Sequence, residues 1–270
     1  MVRAVGATTR RSDALLLLAL AGCSFQIDAP ATGSPDAAPD APPDARSDAP
    51  APPFCPTDPE LRVCFSFDQT PLPAMLPSEG TATVTATLTS ITRIARSPTR
   101  GAAQFGATSG IAMPMGVGVT GVLASEVWFR ADAMPATNGG RMGLFDSNTS
   151  ENISLFFYRA DPVHQLRCGL GNQTEVFPAT LATTTWHYAA CTCEGGAMRM
   201  YLDGVLVAPP RPGGCSAGAF VGDGFTIGSD NSGSGGTVAG DRIAGAIDGV
   251  RLWAVARTAE QIAATSASGL

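Results

Sequence analysis

From residue 54 onward the chain is a succession of short apolar runs, each broken by Gly, Pro, Asn or Asp before it reaches helical length. "VCFSF", "TATVTATLT", "SEVWFRA", "RMGLFD", "ISLFFYRA", "HQLRCGL", "WHYAACTC", "AMRMYLD", "VLVA", "GFTIG" and "GAIDGVRLWAVA" follow one another in this way. Apolar and polar residues alternating over roughly four to eight positions, bounded by turn formers, mark strands that bury one face. Such strands are stable only when their sheets stack. The expectation is therefore all-β: two antiparallel sheets packed as a sandwich over residues 54–270, a normal size for one domain.

Local signals agree. In "MRMYLDGVLVA" the Asp-Gly pair suits a two-residue type I′ turn between two strands, and "CEGGAM" marks another turn just upstream. Helical periodicity waits until "ARTAEQIAATSASG". There Thr258 is a good N-cap and Gln261, three residues on, completes a capping box, so a short helix is expected to pack on the sandwich edge. A formal charge of −6 argues against a nucleic-acid partner.

The N-terminus reads as a targeting segment. Arg3, Arg10 and Arg11 precede the apolar core "ALLLLAL", which is too short to span a bilayer. "LAGC", residues 20–23, resembles the lipobox of bacterial lipoproteins. The resemblance implies removal of residues 1–22, lipidation of Cys23 and membrane attachment in the cell envelope. With Ser24 following the cysteine, it implies the outer membrane. Residues 28–53 are almost all Pro, Ala and Asp, without apolar periodicity, and cannot bury a core. Fully extended at ~3.1 Å per residue they reach roughly 80 Å. Residues 23–53 thus read as a tether between the anchor and the sandwich.

Seven cysteines less Cys23 leave six: Cys55, Cys64, Cys168, Cys191, Cys193 and Cys215. An even number in an exported chain argues for disulfides over zinc or redox use.

The domain resembles the laminin-G-like, concanavalin A-like jelly rolls over most of residues 60–270. The resemblance rests on "FSFD" (65–68), "AAQFGATSGIAMP" (102–114), "SEVWFRAD" (125–132), "TWHYAACTCEGGAMRMYLDGVLV" (185–207), "FTIGSD" (225–230) and "AGAIDGVRLWAVARTAEQIA" (244–263), in that order. It implies one concave and one convex sheet. Tyr188 and Gly249 depart from the usual pattern. Trp128, Trp186 and Trp253 all sit in strand-like runs and are expected in the core.

Within one strand, residues i and i+2 share a face about 6.6 Å apart with parallel Cβ vectors, so Cys191 and Cys193 are poorly placed to bond each other. The Asp-Gly hairpin brings Cys215 near Cys193. Cys168 ranks first for Cys191, as a bridge between neighbouring strands, and Cys55 pairs with Cys64. Six cysteines allow fifteen pairings, so this is a ranking.

Related jelly rolls include glycoside hydrolases with catalytic carboxylates in an E-x-D-x-x-E pattern on one strand. No run here has it: Glu126 and Asp132 lie about 20 Å apart along a strand. His187 has a structural place in the family motif, and His164 falls in a turn. The expectation is that the chain is not an enzyme. The resemblance also implies a structural Ca²⁺ joining the first and last strands through Asp68 and Asp248, against the alternative that both cap loops. In "ISLFFYRA", Phe156 and Tyr158 share the face opposite Ile153, Leu155 and Phe157. They are candidate ligand-binding residues on the concave surface unless a loop covers them. The expected function is a non-catalytic, lipid-anchored module that binds a glycan or a protein. A structural envelope lipoprotein and a jelly-roll glycoside hydrolase are the alternatives.

Overall fold

The computed structural model describes residues 53–114, 118–147, 152–220, 224–231 and 240–269. The leader, Cys23 and the tether up to residue 52 lie outside the described residues.

Two antiparallel sheets face each other. One runs in the order Val205–Leu206, Ala197–Leu202, Trp186–Glu194, Ala124–Ala131, Gly245–Trp253, Gly101–Phe105, Thr92–Ala95. Leu61–Ser66 pairs with the second half of Gly245–Trp253, and Arg211–Pro212 with Ala197–Leu202, to make nine strands. The other, eight-stranded, runs Gln173–Ala179, His164–Gly171, Asn152–Tyr158, Arg141–Asp146, Phe225–Ile227, Gly110–Met113, Thr85–Thr89, Met75–Pro77. Alternation along the strands, reset by a register shift between Ile247 and Gly249, puts Phe65, Phe129, Ile247 and Leu252 of the first sheet against Phe145, Leu155, Phe157 and Leu166 of the second, all buried. Each such side chain contributes about 1.5–3 kcal/mol by leaving water.

Both hairpins form as the sequence predicts. Asp203 and Gly204 have φ of 52° and 82°, the doubly positive combination of a type I′ turn, and Leu202 pairs with Val205 across it. Gly195 and Gly196 do the same between Glu194 and Ala197. The helix Ala259–Ser268 carries the expected capping box, with Thr258 and Gln261 bonding reciprocally. Its seat is different from that expected. Ile262 packs with Phe54, Trp128, Tyr188, Tyr201 and Trp253 in a second cluster on the outer face of the nine-stranded sheet. The helix therefore covers a face, not an edge, and every residue of Gly245–Trp253 is buried on both sides.

The disulfides are Cys55–Cys64, Cys168–Cys191 and Cys193–Cys215. The pairs are those ranked first, but the reason for one of them changes. Cys168 belongs to the eight-stranded sheet and Cys191 to the nine-stranded one, so that bridge crosses the core between facing sheets and does not join neighbouring strands.

Candidate functional site

The outer face of the eight-stranded sheet has no helix of the described residues on it. Strand register sets out its side chains in rows. Gly143, Phe156, Arg167 and Val176 stand side by side, and next to them Arg141, Tyr158, Gln165 and Pro178. Val176 and Pro178 are exposed, on an edge strand where proline costs no ladder bond. The loop after Phe225–Ile227 comes down on this face at Gly143, where a Cβ would lie 2.4 Å from the Ser229 backbone. Only glycine lets the loop approach so closely.

That approach delivers Asp230 and, from the loop's far end, Asp241. Both carboxylates engage the Arg141 guanidinium: Asp230 Oδ2 accepts from Nη2 at 2.7 Å and Asp241 Oδ2 from Nε. The Tyr158 hydroxyl accepts from Arg141 Nη1 at 3.5 Å and from Arg167 Nη1 at 3.1 Å. A phenol oxygen so engaged keeps its own O–H to donate outward. Burial works against the charge on Arg141, but the Tyr158 and Asp241 hydrogen bonds and the Asp230 charge outweigh it and raise its pKa. Arg141 is thus a fixed cation between two carboxylates. Arg167 is in no ion pair among the described residues.

Of the two aromatic residues singled out from the sequence, Tyr158 is half-buried with its hydroxyl at the centre of this cluster. Phe156 shares its face but shows only 2% of its surface. Its cover is a pair of guanidiniums, Arg141 at 4.8 Å and Arg167 at 5.6 Å from the ring centroid. The ring is a seat for those arginines and is not itself a platform for a ligand.

Asp68 and Asp248 do come close enough for the Asp68 charge to act on Asp248. Burial pushes the Asp248 carboxyl above the usual range, against the pull of Arg96, which stands directly on Oδ2. Asp68 accepts the Gly101 N–H at 2.7 Å and has Arg100 at 3.9 Å. Asp248 Oδ1 is buried without a hydrogen-bond partner. Yet two guanidiniums already offset the two carboxylates, and among the described residues no group of three acidic, His or Cys side chains forms. As arranged, the donor set does not fit Ca²⁺, which takes about six to eight oxygens; Arg96 would have to leave first.

Other sequence readings shift as well. Trp128 and Trp253 are core, but Trp186 is half-buried on the outer face of the nine-stranded sheet, under Arg96 and Arg130. Arg130, Asp132 and Gln104 hydrogen-bond to one another beside it. The available signal was position: Trp186 opens its strand after a polar run and faces Arg130 across the ladder. His164 begins a strand, edge-on to Phe157, and is not in a turn. His187 bonds Asp203 at 2.8 Å, a structural role. Glu126 is fully buried between Arg251 and Arg257.

With fold and face described, the class is clear: a two-sheet jelly-roll sandwich of the lectin and glucanase kind. The family model described as concanavalin A-like lectin/glucanases superfamily matches residues 105–263, and the chain belongs to that superfamily. No curated protein sequence matches it. Among solved structures, domain 4 of an extracellular GH43 arabinanase from Geobacillus stearothermophilus, in complex with arabinotriose, is 18% identical. That alignment has a TM-score of 0.52 and covers 77% of this chain and 98% of that one. Trypanosoma rangeli sialidase in complex with 2,3-difluorosialic acid is 15% identical, with a TM-score of 0.54, covering 82% of this chain and 35% of the sialidase. The same sialidase with sialic acid gives 14% and 0.54, over 80% and 34%. The chain thus spans about a third of the sialidases, and the likeness at these identities is one of fold.

These neighbours correct the expectation that the chain is not an enzyme, because an arabinanase and sialidases are among the proteins with this fold. The physical reason for the misreading is on the sheet face. The expectation rests on carboxylates spaced along one strand, and strand spacing does not show carboxylates brought together from separate segments, as Asp230 and Asp241 are on Arg141.

Proposed function

We propose that this domain recognises a glycan on the outer face of its eight-stranded sheet, centred on Tyr158 and Arg167, while held at the cell envelope by lipid on Cys23. One observation carries the reading: the Tyr158 hydroxyl is fixed by two guanidiniums and left as a donor, beside two carboxylates. A sugar presents many hydroxyls, each a donor and an acceptor. It is bound well by fixed, planar polar groups that lose little rotamer freedom on contact. Val176 and Pro178 supply an apolar strip for its C–H faces. The arabinanase domain was solved with arabinotriose, and the family name includes lectins, which supports a saccharide over other ligands. The three disulfides fit an oxidising compartment outside the cytoplasm. Among the described residues no helix is long and apolar enough to cross a membrane.

The test is titration calorimetry of the full chain with arabinotriose and with sialic acid, followed by a glycan array. Tyr158→Phe and Arg167→Gln are each expected to weaken binding of the best ligand about tenfold, the loss of one hydrogen bond, charge-assisted in the case of Arg167. Undiminished binding in both variants refutes this site. Labelled fatty acid is expected in the wild-type chain and not in Cys23→Ser; equal labelling refutes the anchor.

A further inference from the structure

The carboxylates on the outer face of the eight-stranded sheet are gathered at one end of it. Asp230 and Asp241 are both held by Arg141, and Asp146 Oδ2 accepts the Asn231 N–H at 3.0 Å. The Arg141 guanidinium and the Tyr158 hydroxyl stand between that pair and Arg167. Around Arg167 itself the ladder places Phe156 and Val176 on either side, and Gln165 and Gly169 lie along its own strand. None of these carries a negative charge. Glu175, next to Val176, pairs with Cys168 on the core side of the sheet and accepts from Gln173 Nε2 at 2.8 Å. The face is therefore polar along its length. Two carboxylates meet one guanidinium at the loop, and a positive charge in no ion pair among the described residues stands at Arg167.

Arg167 is held in place with one edge still unused. Its Nη1 donates to the Tyr158 hydroxyl at 3.1 Å, and the guanidinium lies 5.6 Å from the centroid of the buried Phe156 ring. Nε and Nη2 donate to nothing among the described residues, and both are open to solvent. Their N–H bonds run parallel, the fork that matches the two oxygens of a carboxylate. Gln165, half-buried and opposite Tyr158 across the ladder, has a side-chain amide that bonds nothing among the described residues. The exposed strip of Val176 and Pro178 adjoins both side chains.

We infer, resting on the glycan reading of this face, that its ligand carries a carboxylate, as a uronic or sialic acid unit does, and that this carboxylate sits on the Nε and Nη2 edge of Arg167. A sugar lying on Val176 and Pro178 takes water away from Arg167. A neutral sugar leaves that charge uncompensated, whereas a carboxylate supplies a charge-assisted pair of hydrogen bonds. Gln165 and Tyr158 are left for the hydroxyls of the same unit. The negative end of the face orients the ligand, with its acid turned away from Asp230 and Asp241. It also disfavours a polyanion, whose further charges would reach the loop and meet like charge there.

The full chain is screened on a glycan array holding neutral, carboxylated and sulfated saccharides. The best-binding glycan and its methyl amide, in which the carboxylate is neutralised, are then compared by titration calorimetry. The expected result is a carboxylated best ligand whose amide binds about tenfold more weakly. In Arg167→Gln the gap between acid and amide should close to within about twofold. In Tyr158→Phe both forms should weaken and the gap should persist. A best ligand without a carboxylate, an amide that binds as well as its acid, or a gap that persists in Arg167→Gln overturns the inference and leaves the glycan reading standing. No binding to any glycan overturns the glycan reading and this inference with it. Should Arg167→Gln not fold, the comparison of acid and amide on the wild-type chain decides.

Discussion

Removing the Cys168–Cys191 bridge separates two accounts of what holds the sandwich together. The bridge joins facing sheets, with its Cα atoms 6.3 Å apart and a sequence separation of 23. If it acts by restricting the unfolded chain, the loop-closure relation gives about 3.4 kcal/mol. The Cys193–Cys215 bridge, with a separation of 22, gives about the same. Cys55–Cys64, with a separation of 9, gives ~2.6 kcal/mol. Three paired Cys→Ala variants, unfolded in urea under oxidising conditions and followed by tryptophan fluorescence, measure these costs. With m of about 2–3 kcal/mol/M, loss of Cys168–Cys191 should lower the midpoint by roughly 1.1–1.7 M. The two longer loops should match within about 0.5 kcal/mol, both exceeding the shortest by ~0.8 kcal/mol. A Cys168–Cys191 cost below that of Cys55–Cys64 would refute the loop argument. A cost well above that of Cys193–Cys215 would show that the contact between sheets contributes in the folded state.

Two further predictions follow from charge. Burial opposes protonation of His187, but the hydrogen bond and charge of Asp203 outweigh it and raise its pKa. The pair therefore contributes stability that is full below the unfolded value of about 6.5 and is lost as pH rises through the folded value. The difference in Tm between wild type and Asp203→Asn should shrink from about pH 6 to pH 8; a constant difference would show that His187 does not titrate with the fold. For Asp68 and Asp248, calcium added after chelation should leave the wild-type Tm unchanged while Arg96 occupies Asp248. In Arg96→Gln it should raise the Tm, by about 2.7 kcal/mol of stability at a hundred times the dissociation constant. A rise in wild type would show that the ion displaces Arg96.

What could be read in advance was what local sequence controls. The Asp203-Gly204 and Gly195-Gly196 turns, the Thr258 cap and the alternation of "ISLFFYRA" are fixed by backbone preferences and nearest neighbours, and the structure has them all. The readings that changed each depend on residues far along the chain. Asp248 meets Arg96, 152 residues away, a pairing that no local pattern shows. Trp128 and Trp186 sit in strands of the same kind. They differ because the helix and the Phe54 segment fold over one and stop short of the other. Cys168 and Cys191 were paired from the order of runs, which does not tell a neighbouring strand from one facing it across the core.

The two outer faces are finished by opposite means, and this determines which substitutions can inform on binding. On the nine-stranded sheet, Ile262 and Phe54 close over Trp128 and Tyr188, and burial, reinforced by the Glu126 charge, raises the Tyr188 hydroxyl well above its ordinary pKa. On the eight-stranded sheet Phe156 is roofed by Arg141 and Arg167, whose charged heads keep the surface wet while their stems cover the ring. Arg141 has a second duty there, holding Asp230 and Asp241 and with them the loop that descends on Gly143. Truncating Arg141 would unroof Phe156, leave two carboxylates facing each other and release the loop, so a loss of binding in that variant would say little about contact with a ligand. Tyr158→Phe removes one oxygen and leaves both guanidiniums on Phe156. For that reason the hydroxyl, and not the arginine that bonds the most partners, is where the glycan reading is properly tested.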